Sequence, residues 1–149
     1  MVEVGPNNLS DWQFIHAGLA EGPVRVVFAM GAYAERLQIE RSDTSDNRLI
    51  LDGGGGNWRV VMPGIHTGYE GVISHVTVRG FEVIGSRDKG IEWNADDQIL
   101  IEDVVVYANT GSPAINLQYS NGSGHASTGF VVRNSHLYNQ CGECIYIGA

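Results

Sequence analysis

Three stretches of this chain repeat one another. VTVRGFEVIGSRDKGIEW (residues 76–93), ILIEDVVVYANTGSPAINL (99–117) and FVVRNSHLYNQCGECIYI (130–147) align with a single one-residue gap. Each runs apolar, reaches a turn residue at its fifth position, runs apolar again, passes a polar stretch and closes on a short apolar-polar-apolar strand. The first two starts lie 23 residues apart and the next two 31, with the surplus falling in the polar insert 119–127. Strands this short at a period near 23 fit one coil of a β-solenoid, with three strands per coil, better than a propeller blade.

The fifth positions are Gly80, Asp103 and Asn134. These residue types tolerate a left-handed backbone or close an Asx turn, so a sharp corner is expected there in every coil. An antiparallel sandwich also has short, closely spaced strands, but it does not require corner residues to recur in register. Stacking coil on coil gives five apolar ladders: Val76, Ile99 and Phe130; Val78, Ile101 and Val132; Val83, Val106 and Leu137; Ile91, Ile115 and Ile145; Trp93, Leu117 and Ile147. Such ladders account for the enrichment in Val and Ile without a long helix.

Upstream, RVVFAMGAYAERLQI (25–39) followed by SDNRLILDGGGG (45–56) reads as opening coils, in which a strand leads into a turn and then into an Arg-x-x-Ile strand, Arg36 to Ile39. The repeats and these opening coils resemble the right-handed parallel β-helix superfamily of pectate lyases, chondroitinase-type lyases and related glycan-processing proteins. Met30-Gly31-Ala32-Tyr33 stands where those proteins carry a Pro-Gly-Thr-Tyr-like turn. The resemblance spans about residues 24–149 and implies an all-β, right-handed parallel β-helix of about five to six coils at ~23 residues each, in one domain. Ser10-Asp11-Trp12-Gln13 reads as a capping box ahead of Phe14, Ile15 and Leu19, predicting a cap helix over about 10–20 that covers the first apolar ladder ends.

Nine Lys and Arg against 17 Asp and Glu give a net charge of −8, and Lys89 is the only lysine. A phosphate backbone meets a repulsive field, so nucleic acid is not an expected partner. No apolar run reaches the ~18–20 residues of a membrane helix. Met1-Val-Glu-Val opens without basic residues, so no targeting segment is visible and the chain as written reads as cytoplasmic, although the proteins it resembles are often secreted.

The resemblance implies a carbohydrate-binding or carbohydrate-processing module whose partner is a polysaccharide or oligosaccharide. Extended glycans lie along the outer face of the third strands, where alternate residues point outward. The outward positions are Glu92, Asn116 and Tyr146, with Arg59 of Trp58-Arg59-Val60 as a fourth member. The following loops supply His66, Tyr69 and Glu70, then Asn94, then Asn121 and His125. An acidic polysaccharide would need a divalent cation to bridge it to this acidic chain. In a lyase-like reading, calcium sits on the oxygen ligands of Asp96 and Asp97 with Glu92, while Arg59, Lys89 or His66 acts as neutraliser or base. The plainer reading makes Asp96-Asp97 a solvated turn and Arg59–Glu92 a cross-strand ion pair. A hydrolase needs two carboxyl groups ~5–9.5 Å apart, for which Glu70, Glu92 and Asp97 are the candidates, but no Asp-rich motif of the polygalacturonase type is present. The alternative to all of these is a non-catalytic interaction and assembly module.

Cys141-Gly142-Glu143-Cys144 has redox or zinc spacing, yet Cys144 aligns with Gly90 and Ala114, which marks a small inward residue. Nothing in the sequence after Ala149 covers Ile145 and Ile147, so a two-fold homodimer or small closed oligomer through the carboxy-terminal coil is expected. The same ending suits the first part of a longer solenoid.

Overall fold

The computed structural model describes residues 2–7, 23–39, 48–54, 60–67, 73–84, 89–94, 97–108, 110–111, 113–118 and 128–148. These residues form a parallel β-solenoid of about four turns. The first sheet orders β1 (Val2–Val4), β2 (Val24–Phe28), β5 (Leu49–Asp52), β8 (Val76–Arg79), β11 (Leu100–Glu102) and β14 (Val131–Arg133). The second orders β3 (Gly31–Ala32), β6 (Val60–Met62), β9 (Glu82–Ile84), β12 (Val105–Tyr107) and β15 (His136–Tyr138). The third orders β4 (Leu37–Ile39), β7 (Ile65–Thr67), β10 (Ile91–Asn94), β13 (Ile115–Gln118) and β16 (Ile145–Gly148). The coil number of five to six expected from the sequence refers to the whole chain, of which the described residues wind about four turns. The expected cap helix lies outside the described residues.

The repeat alignment fixes the stacking. Val78, Ile101 and Val132 are register partners, as are Val83, Val106 and Leu137, then Ile91, Ile115 and Ile145, then Trp93, Leu117 and Ile147. Alternation puts these residues inside, where Val78, Val83, Ile91, Ile101, Val106 and Ile115 are wholly buried. Each such side chain contributes about 1.5–3 kcal/mol of transfer free energy. Phe28 meets Phe81 edge to face with ring centroids 5.2 Å apart, closing the core between the opening and middle coils.

The corner positions Gly80, Asp103 and Asn134 have φ of 71°, 51° and 50°. All three lie in the left-handed region that their residue types favour. Two further corners turn the same way, with Gly129 and Asn139 of those same types but His75, Gln98 and Ala108 giving no such signal. His75 (57°), Gln98 (54°) and Gly129 (68°) lead into the first sheet, and Ala108 (57°) and Asn139 (54°) leave the second.

Burial falls away at the carboxy-terminal end. Five of the six exposed large hydrophobic residues among those described lie on the last coil: Val131, Tyr138, Ile145, Tyr146 and Ile147, the last 76% exposed. Among the described residues, the final coil has a neighbour on one side only.

Candidate functional site

The third sheet gathers the polar residues that the sequence singled out. On its outer face Gln38, His66, Glu92, Asn116 and Tyr146 form one register line across five strands. His66 therefore stands beside Glu92, at the position the sequence analysis gave to Arg59. The cause is local: Pro63-Gly64 splits an apolar run into two strands, so Val60 opens β6 of the second sheet and Ile65-His66-Thr67 makes the third-sheet strand. Arg59 itself lies outside the described residues, as do Tyr69, Glu70, Asp96, Asn121 and His125.

The middle of this line is polar and closed. Glu92 and Asn116 are each 1% exposed and His66 5%. The Glu92 carboxylate binds the Lys89 ammonium through Oε1 and lies 3.2 Å from His66 Nδ1 through Oε2. Burial pushes the Glu92 carboxyl upward, but the hydrogen bonds from His66 and Lys89 and their charges outweigh it and hold the group below the ordinary carboxylate value. His66 Nε2 faces the Lys89 carbonyl at 3.2 Å, and Arg36 Nη1 lies 3.3 Å from Nδ1. Both ring nitrogens thus face protein groups, and neither is aimed at an incoming substrate. The Nδ2 donors of Asn94 and Asn116 are buried with no hydrogen-bond partner. Beyond Asn116, the half-exposed Tyr146 folds its ring over Gly148, where a Cβ would collide with the phenol.

Asp97 is placed away from this cluster. Its Oδ1 accepts from the Thr128 backbone N–H at 2.7 Å and from the Thr128 hydroxyl at 3.1 Å, and its backbone bridges Ser74. That carboxylate staples neighbouring coils. Among the described residues, no group of three or more His, Cys, Asp or Glu is placed to hold a metal ion. Cys141 and Cys144 are free and exposed, with Cys144 Sγ 3.6 Å from the Leu137 carbonyl. Ala114, its neighbour in the preceding coil, is wholly buried. Cys144 differs because no further coil covers it among the described residues.

The outer face of the second sheet is open, and the sequence analysis did not single it out. A groove of about 340 Å³ is lined by Glu82, Val105, His136 and Tyr138. Glu82, Val105 and His136 are register neighbours, so Val105 is the apolar floor between a carboxylate and an imidazole. Tyr107 and Tyr138 stack in parallel beside them, with centroids 5.0 Å apart and planes at 4°. The Tyr107 hydroxyl donates a 2.6 Å hydrogen bond to Glu82 Oε1, which fixes the carboxylate's orientation. The signal for this face was present in the repeat, since VVY and HLY place tyrosines at the same outward position of consecutive coils.

No protein-family model matches the chain, and neither a curated protein nor a solved structure matches it. The functional reading therefore rests on the geometry of these two faces.

Proposed function

We propose that the protein is a carbohydrate-binding β-solenoid module that seats a neutral saccharide in the groove on the second sheet. The observation that carries this reading is the open, 340 Å³ depression in which an apolar floor, an aromatic wall and a pre-oriented carboxylate converge. A sugar ring has an apolar C–H surface and a rim of hydroxyls. Val105 and Tyr138 offer the first a partner, and Glu82 and His136 offer hydrogen bonds to the second. Glu82 Oε1 accepts from Tyr107, and among the described residues no hydrogen bond is made to Oε2, which leaves an acceptor for a hydroxyl. A polyuronate would meet this carboxylate and the net charge of −8, so a neutral glycan suits the site better than the acidic substrate of a lyase. On the third sheet the residues with acid-base chemistry, Glu92, His66 and Lys89, are engaged with one another, which disfavours a lyase role for that face. In this reading the winding is right-handed, the hand that parallel crossovers adopt almost without exception.

One observation favours a second reading, in which the glycan lies on the third sheet. The unpaired amide donors of Asn94 and Asn116 lie on the third sheet, Asn116 beside Tyr146 in register, where ligand contacts were expected. An oligosaccharide array separates the two. Wild type is expected to bind a neutral glycan, and Tyr138→Ala and Glu82→Gln to lose it by at least about tenfold, with the Glu92→Ala, Tyr146→Ala double variant unchanged. Equal binding by wild type and the Tyr138→Ala and Glu82→Gln variants sinks the groove. Loss only in the double variant moves the site to the third sheet. Formation of unsaturated uronate from a polyuronate, abolished by a chelator, would make the protein a calcium-assisted lyase instead.

A further inference from the structure

The groove on the second sheet has a direction. Three of its four lining residues, Glu82, Val105 and His136, belong to one register line that crosses β9, β12 and β15, and the fourth, Tyr138, stands beside them on β15. Register lines in a parallel solenoid run along its axis, so the groove is elongated that way and spans three coils. The line continues toward the amino-terminal coils through Val61 of β6 and Ala32 of β3. A second line, Ile84, Tyr107 and Tyr138, runs parallel to it and borders it on one side. Both lines lie on the flank of the solenoid rather than on its ends.

The backbone sets the spacing along the first line. Neighbouring strands are ~4.8 Å apart, which places the Glu82 and His136 positions roughly 9.6 Å apart with apolar Val105 between them. From Ala32 onward the line reads apolar, apolar, polar, apolar, polar, so its hydrogen-bonding groups are two coils apart. A pyranose ring covers about one strand spacing, so filling the groove from Glu82 to His136 takes a chain of rings.

We infer that the groove takes an extended, β-1,4-linked neutral glycan lying along the solenoid axis, with about one ring to a coil, an inference that rests on the saccharide reading above. In a β-1,4-linked glucose chain the linkage bonds are equatorial, so the chain is a flat ribbon whose advance per ring is close to one strand spacing. Each ring is turned over relative to the one before it, so like hydroxyls return to the same edge on every second ring. Glu82 and His136 have that separation. The ring between them lays its C–H face on Val105. Glu82 Oε2 accepts a hydroxyl proton from one outer ring, while Oε1 stays with Tyr107, and the His136 imidazole hydrogen-bonds a hydroxyl of the other. An α-1,4-linked chain of the same sugar bends at each linkage, so rings placed on Glu82 and Val105 carry the third away from His136.

The test titrates the purified chain with glucose and with β-1,4-linked and α-1,4-linked glucose oligomers of increasing length, followed by heteronuclear NMR. In the β-linked series, affinity is expected to rise at least about tenfold from the single sugar to the trisaccharide, with the α-linked trisaccharide at least about tenfold weaker than its β-linked counterpart. His136→Ala should remove most of the gain with length and leave binding of the single sugar unchanged, which also shows that the variant is folded. A single sugar that binds as tightly as the trisaccharide, equal binding of the two linkages, or a His136→Ala protein that keeps the gain with length would each overturn the axial chain while leaving the groove as a saccharide site. Absence of binding by every oligomer of both series, with other neutral glycans bound on the array, overturns the β-1,4 assignment alone. Absence of binding on the array as well overturns the saccharide reading and this inference with it.

Discussion

Tyr107 and Glu82 lie diagonally across β12 and β9, two positions out of register, and the phenol of the first donates to the carboxylate of the second at 2.6 Å. The hydrogen bond to Glu82 is the largest cause that pushes the Tyr107 hydroxyl up to about 12, with some desolvation and the charge of Glu82 adding to it. A phenolate is disfavoured beside that carboxylate because it can no longer donate. Glu82→Gln removes the charge, so the Tyr107 titration should move down toward the ordinary value of 10. Ultraviolet titration of phenolate formation, as a difference between wild type and variant, measures it. An unchanged late-titrating tyrosine would assign the effect elsewhere, with Tyr33, also raised to about 12 by burial, as its source.

Asp52 gives the fold an acid limit. Burial alone would raise its carboxyl, but hydrogen bonds from Arg79, the Gly54 backbone and Arg25, with the charge of Arg79, bring it below its ordinary 3.8. A carboxylate with a depressed folded pKa contributes stability that is complete above its unfolded value and is lost as pH falls through the folded one. Wild type should therefore weaken below about pH 4, and Asp52→Asn should be less stable at neutral pH with a flatter profile below pH 4. Urea midpoints measured from neutral to acid pH distinguish the two curves.

The ladder interior and the solenoid end predict opposite responses to the same substitution. Val106 is wholly buried, so Val106→Asp strands a carboxylate in the core at a cost of at least about 3 kcal/mol. Ile147→Asp falls at a position 76% exposed and should leave a soluble, cooperatively unfolding protein. Soluble yield and denaturant unfolding of the pair check the register, and a cooperatively folding Val106→Asp protein would refute it.

Gly53 marks a close approach between coils. A Cβ there would fall on the carbonyl oxygen of Gly80, whose backbone has no room to yield. Gly53→Ala should cost about 2–3 kcal/mol by overpacking. At Gly54 the surrounding space is open and only the positive φ of 88° resists a side chain, so Gly54→Ala should cost about 1 kcal/mol. Thermal unfolding of both variants ranks them.

The ladders were legible because side-chain alternation and stacking are both periodic, so Val83, Val106 and Leu137 announce one another. The first corner was legible because Gly80, Asp103 and Asn134 each tolerate positive φ at little cost. The other corners were not, since Gln98 and Ala108 reach the same conformation under the constraint of their neighbours. The Glu92–Asn116–Tyr146 line was readable from the third strands, while His66 was hidden by the Pro63-Gly64 break. Closure over Glu92 was not readable either, because it depends on His66 of the preceding coil as well as on the nearby Lys89. The paired tyrosines of the second sheet were visible as letters, but only their parallel stacking and the carboxylate beside them make a groove.

Within each sheet, every strand touches only the strands of the coils before and after it. Protection from solvent is therefore a gradient along the axis rather than a property of a single centre. Among the described residues, the middle coils are clamped from both sides and the last from one. Amide exchange should therefore run slower in Ile91–Asn94, which is buried between two coils, than in the more exposed His136–Tyr138.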